Sequence, residues 1–65
     1  MMQLNEFLSF IVLIVPKYDI YIKFKDAKKS ISLDDFINKN PYTWRLYNIY
    51  CIKPDNNDLI IEVNH

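Results

Sequence analysis

A chain of 65 residues with no glycine must turn every corner with residues that carry a Cβ. Left-handed backbone then falls to asparagine, which tolerates positive φ best among residues with a side chain. The sequence offers Asn56 and Asn57 for this, in the polar stretch 54–57 between two apolar runs. The same absence removes a phosphate-binding loop, a dinucleotide fingerprint and a glycine-rich clamp on a nucleic-acid backbone. Each of these needs the backbone to approach phosphate with no Cβ in the way. Nucleotide-dependent catalysis is therefore not expected.

Covalent and metal staples are missing as well. Cys51 is the one cysteine, so there is no internal disulfide, and with His65 as the one histidine there is no tetrahedral zinc site. Such a chain suits a reducing cytoplasm. At this length residues 1–65 read as one small domain whose core supplies roughly 3 to 5 kcal/mol, with no second core to wall a catalytic cleft. No metal and no cofactor is expected.

The apolar run Phe7–Val15 is too short for a membrane span, which needs roughly 20 residues, and it lacks the basic flank and small-residue site of a signal peptide. At helical period Leu4, Phe7, Leu8, Ile11, Ile14 and Val15 form one stripe, which predicts an amphipathic helix. Asn5 is its expected cap, with Gln3 to Glu6 as an alternative register, and Pro16 stops it at or before Val15. The β-branched residues of the same run argue for a strand instead. In the helical reading Leu13 lies opposite the stripe and Phe10 on its border, surplus to one core and available for self-association.

Tyr18 to Lys25 alternates as a strand, with Tyr18, Ile20, Ile22 and Phe24 on one face. A polar turn at 26–29 follows, and Ser32 then caps a short helix in which Leu33, Phe36 and Ile37 are buried and which Asn40-Pro41 closes. Residues 41–46 are ambiguous, since Asn40 and Pro41 could open a further helical turn. Tyr47–Lys53 and Asp58–Val63 read as a hairpin joined by a longer loop. The expected fold is α+β: a three-stranded, largely antiparallel sheet with the N-terminal helix packed on one face and a second short helix. Its expected core is Leu4, Leu8, Ile11, Val15, Ile20, Ile22, Phe24, Phe36, Ile49 and Ile61.

Eight Lys and Arg balance eight Asp and Glu, which fits neither a sequence-independent DNA binder nor a DNA mimic. The charge is nonetheless uneven. Lys17, Lys23, Lys25, Lys28 and Lys29 outnumber Asp19 and Asp26 by three, whereas Asp55, Asp58 and Glu62 make the C-terminal part acidic. Two solvated loops of opposite sign, or a dipolar surface that orients a partner, both account for this.

No catalytic set emerges. His65 ends the chain, Cys51 sits in an alternating strand as a small hydrophobe, and Asp34/Asp35 stand at a helix start, where carboxylates offset the dipole. Asp55/Asp58 lack the ligand density and central glycine of a calcium loop. The group Tyr42, Trp44, Arg45, Tyr47 and Tyr50 is more distinctive, because Tyr, Trp and Arg are enriched at the energetic centres of protein interfaces. It reads as core and rim of a small domain or as a partner-binding surface. A third reading makes such aromatics stacking platforms while Lys23, Lys25, Lys28 and Lys29 track phosphates, with Trp44 or Tyr21 as the stacking residue.

The segments Leu4-Asn5-Glu6-Phe7-Leu8, Tyr18-Asp19-Ile20-Tyr21-Ile22-Lys23, Ser32-Leu33-Asp34-Asp35-Phe36-Ile37, Lys53-Pro54-Asp55 and Asp58-Leu59-Ile60-Ile61-Glu62-Val63 resemble small accessory proteins of Firmicute phages and mobile elements. Some comparably small members of that group inhibit host defence, anti-CRISPR proteins among them. This chain departs from their usual acidic character by its lysine-rich segment and apolar first helix. The resemblance implies a non-enzymatic inhibitor that binds a larger host protein in the cytoplasm. The alternative expectations are a single-stranded nucleic-acid binder and a homo-oligomer.

Overall fold

The structure, a computed structural model, describes residues 2–14 and 18–64, with side chains for all of these except residues 11–14. In chain order the elements are α1 (Leu4–Ile14), β1 (Asp19–Phe24), β2 (Ile31–Ser32), α2 (Leu33–Lys39), a 3-10 turn at Trp44–Leu46, β3 (Asn48–Asp55) and β4 (Asp58–Asn64). The fold is α+β as expected, but the sheet has four strands in the order β2-β1-β4-β3 and is mixed. β1 pairs with β4 in parallel, from Asp19↔Asp58 to Phe24↔Val63, while β1–β2 and β3–β4 are antiparallel. The expected three-stranded antiparallel sheet is thus corrected in strand number and in the direction of its central pair.

The parallel pair has a cause in β4 itself. Its burial runs Leu59, Ile61, Glu62 and Val63 buried, with Ile60 half-buried. A strand covered on both edges and loaded with β-branched residues fits the middle of a sheet. Inserting β4 between β1 and β3 lets Ile20, Ile22 and Phe24 face Leu59, Ile61 and Val63 across the pair. β2 adds only Ile31 and Ser32 opposite Ile22 and Tyr21, and two residues are too few to alternate visibly in a sequence.

α1 is a helix, not a strand, and it begins at Leu4 rather than after an Asn5 cap. The Leu4 N–H donates to the Tyr47 carbonyl at 2.9 Å, so the backbone before β3 satisfies the first N–H of the helix. Asn5 falls inside the first turn, where its Oδ1 is buried without a hydrogen-bond partner. Gln3 precedes the helix, as the alternative register has it, and its carbonyl accepts from the Phe7 N–H at 3.2 Å. Val15 and Pro16, and the side chains of Ile11 and Leu13, lie outside the described residues, so their expected roles in the core, at the helix end and in self-association do too. Ser32 caps α2 as its spacing predicts, its Oγ accepting from the Asp35 N–H at 3.2 Å.

The core comprises Leu4, Leu8, Ile22, Phe36, Leu59, Ile61 and Val63. Leu59 and Val63 are additions to the expected set, and Ile20, Phe24 and Ile49 are half-buried at its rim. Phe24, Phe36 and Tyr47 form an aromatic cluster with ring centroids 5.2 to 5.8 Å apart. All seven core residues share one cluster, so α1 and α2 pack on the same side of the sheet, and neither covers the other side. The β3–β4 connection is a two-residue turn at Asn56-Asn57, tighter than the expected loop. Asn56 takes φ of 55°, the left-handed conformation that a chain without glycine assigns to asparagine.

Candidate functional site

Two surfaces stand out, and the segment 41–50 divides between them and the core. After α2, Asn40 ends the helix with its side-chain amide donating to the Phe36 carbonyl at 2.9 Å. Its own carbonyl then accepts from the Trp44 N–H at 3.0 Å, which folds 41–46 into successive turns. Trp44 packs against the core, and Tyr47 packs against both Phe24 and Phe36 with its hydroxyl 3.4 Å from Asn40 Oδ1. Tyr42, 90% exposed, and Leu46, 64% exposed, project from this anchored base. The exposed Arg45 guanidinium stacks 5.2 Å from the Trp44 ring. The first surface is therefore a projecting turn of Tyr42, Arg45 and Leu46 on a Trp44 anchor. Tyr47 belongs to the core side, and Leu46 enters the site although the sequence singled out only its neighbours.

The second surface is the uncovered sheet face. Side chains alternate along each strand, so residues paired with core-facing positions identify their neighbours as outward-facing. Across β1, β4 and β3 the registers give a row of Asp19, Asp58 and Asp55, then Tyr21, Ile60 and Lys53, then Lys23, Glu62 and Cys51. Beyond β1 comes Lys25, whose Nζ lies 4.6 Å from the centre of the Tyr50 ring. Tyr50 is the extra residue of a β-bulge, since Ile49 pairs with Val63 and Cys51 with Glu62. That displacement swings its ring towards Lys25. The sequence-derived lysines thus separate: Lys23 and Lys25 lie on the open face, and Lys28 and Lys29 are exposed in the loop after it.

Glu62 is the buried charge of this face, at 6% exposure, and two lysines hold it there. Lys53 Nζ stands 3.0 Å and Lys23 Nζ 3.7 Å from its Oε1. The hydrogen bond from Lys53 holds the Glu62 carboxyl below its ordinary value of 4.5, against the opposing effect of burial, with Lys23 adding in the same direction. The same carboxylate raises Lys53 above its ordinary 10.5. Charges directly across a pair suit each other here, unlike the row of three aspartates at the other end.

Among the described residues a depression beside β1–β2 has Asp19, Asp34 and Ser32 in its lining, and one at the end of β1 has Lys25 and Asp26. Cys51 is half-buried beside Glu62 on the open face, and His65 lies outside the described residues. The three aspartates share a row without converging. Among the described residues no group of three or more His, Cys, Asp or Glu is placed to hold a metal ion, and no helix is long and apolar enough to cross a membrane. Phe10, expected on the helix border, is 63% exposed. Comparison with models of known families, with characterised proteins and with solved structures gives no match.

Proposed function

We propose that the chain is a non-enzymatic binding protein that acts stoichiometrically on a larger protein, in the manner of a phage or mobile-element inhibitor of a host protein in the cytoplasm. One observation carries the reading: Tyr42, Arg45 and Leu46 are held out from a turn whose base, Trp44, is packed against the core. A large side chain at 90% exposure contributes little to folding, yet on a rigid base it loses little entropy when a partner buries it. The turn is anchored at both ends, by the Asn40 hydrogen bonds and by Tyr47, so it arrives at a partner already shaped.

The test compares immobilised wild-type chain with a Tyr42→Ala/Arg45→Ala variant in capture from host lysate, read by quantitative mass spectrometry. The target enriched by wild type is then purified and its affinity measured for both. The variant should keep the wild-type unfolding midpoint and lose about 2 kcal/mol of binding, roughly thirtyfold. Equal capture and equal affinity by the two proteins would remove the turn from the function.

Single-stranded nucleic-acid binding is the second reading. Its support is that the open face carries Lys23, Lys25, Tyr21 and Tyr50 together, with Lys28 and Lys29 beyond. The aspartate row on that face repels a phosphate backbone, and Lys23 is already paired with Glu62, which makes this reading second. A labelled oligonucleotide whose anisotropy does not change at low salt would dispose of it.

A further inference from the structure

The open sheet face has a charge pattern that the described residues of one copy leave unresolved. At the start of β1 and around the β3–β4 turn, Asp19, Asp58 and Asp55 stand directly across from one another. Like charges in that arrangement destabilise a sheet. Among the described residues none of the three makes an ion pair, and Lys23 and Lys53 are paired with Glu62; Lys17 lies outside the described residues. At the other end of β1, Lys25, Lys28 and Lys29 are all exposed, with Asp26 as the one acid among them. Lys25 spends its charge on the face of the Tyr50 ring, a contact that leaves it cationic. Between the two ends lie the half-buried Tyr21 and Ile60. The face is therefore negative at one end and positive at the other, with Tyr21, Ile60 and the Lys23–Glu62–Lys53 ion pairs between them.

We propose that this face binds a second copy of the chain turned end for end, so that the aspartate row of each copy meets the Lys25–Lys29 segment of the other. A two-fold axis makes the match twice, and sets the Tyr21–Ile60 row of each copy against the Lys23–Glu62 row of the other. A foreign partner would have to reproduce both ends of this pattern, whereas the chain itself already carries them. Three strands about 4.8 Å apart and about 20 Å long, with the two-residue β2 beside them, offer at most about 320 Å² per copy. The total of about 640 Å² falls below the roughly 1,200 Å² of a stable interface, so the dimer is weak and depends on its charges.

Sedimentation equilibrium up to about 0.5 mM protein, in about 0.02 M and about 0.5 M salt, reads the association where screening is weak and where it is strong. Wild type should dimerise at low salt and lose at least tenfold in association constant at high salt. Asp19→Lys should be monomeric, and so should Lys28→Asp/Lys29→Asp; both sets of sites are exposed, and a circular dichroism melt checks that each variant folds. Mixed one to one, the two variants should associate again, because the mixed dimer has one native charge contact and one reversed but complementary contact. Wild type that stays monomeric at low salt overturns the proposal, including the case where it binds a single-stranded oligonucleotide through the same face. So does an Asp19→Lys chain that dimerises like wild type, or a mixture of folded variants that remains monomeric.

Discussion

Tyr42 and Tyr47 are five residues apart and chemically identical, and the structure gives them opposite energetic roles. Tyr47 meets Phe36 at 5.2 Å and Phe24 at 5.7 Å, both edge-on. Each such pair contributes about 0.5 to 1.5 kcal/mol beyond area burial, and burying much of an aromatic ring adds roughly 1.5 to 3 kcal/mol. Tyr47→Ala should therefore cost about 3 to 5 kcal/mol, the range for removing an aromatic from a core. That matches the whole stability of so small a domain, so the variant should be largely unfolded at 25 °C. The hydroxyl is a smaller matter, since its 3.4 Å approach to Asn40 Oδ1 is long for a hydrogen bond, and Tyr47→Phe should stay within about 1 kcal/mol of wild type. Tyr42→Ala, at an exposed site, should shift stability by no more than about 0.5 kcal/mol. Urea unfolding followed by far-UV circular dichroism measures all three; with a slope near 1 kcal/mol/M, a loss of 3 kcal/mol moves the midpoint by about 3 M. A Tyr47→Ala protein that unfolds within about 0.5 M of wild type would refute the aromatic cluster as the anchor of the turn.

Two further measurements bear on the open face and its hairpin. Glu62 has a lowered pKa in the fold, so its contribution is full above the ordinary 4.5 and is lost as pH falls through the folded value; Lys53, raised above 10.5, contributes below 10.5 and loses its share as pH rises through the folded value. Thermal melts of wild type should fall at both extremes, and Glu62→Gln should flatten the acid limb attributable to this group; an unchanged acid limb would contradict the assignment. Asn56 sits at φ 55°, so Asn56→Ala should destabilise by about 1 to 2 kcal/mol while Asn56→Gly is neutral or mildly stabilising, as read by urea midpoints. Equal midpoints for Ala and Gly would mean that the turn does not need left-handed backbone.

What the sequence made legible was whatever is written in local spacing. The Ser32 cap with Asp35 three residues on, the alternation of β1 and the assignment of positive φ to an asparagine all depend on neighbours within four residues. Pairing partners do not. Nothing in Asp19-Ile20-Tyr21 and Asp58-Leu59-Ile60 says that the two runs lie side by side in parallel, since that depends on β4 entering between β1 and β3. The start of α1 depends on the same kind of distant partner: the Leu4 N–H, which lies ahead of any Asn5 cap, donates to the Tyr47 carbonyl. Aromatic residues within a few positions of one another read alike in sequence, and only the path of the turn assigns Tyr47 inward and Tyr42 outward.

The aspartate row shows how a non-local pairing changes the meaning of local features. In sequence Asp19 begins a strand, while Asp55 and Asp58 flank a turn, where aspartate is favoured for its local hydrogen bonds. Each is unremarkable alone, and the hairpin by itself sets two of them opposite each other. The parallel register brings in the third. A fold optimised only for stability would be expected to neutralise one member of such a row or place a lysine beside it. Here the lysines nearest along the strands, Lys23 and Lys53, are drawn to Glu62 instead, leaving the negative end for a cation from outside the copy. The dipolar face and the projecting turn are built from different elements, so loss of one surface should leave the other intact, and variants at Asp19 and Tyr42 separate self-association from target binding.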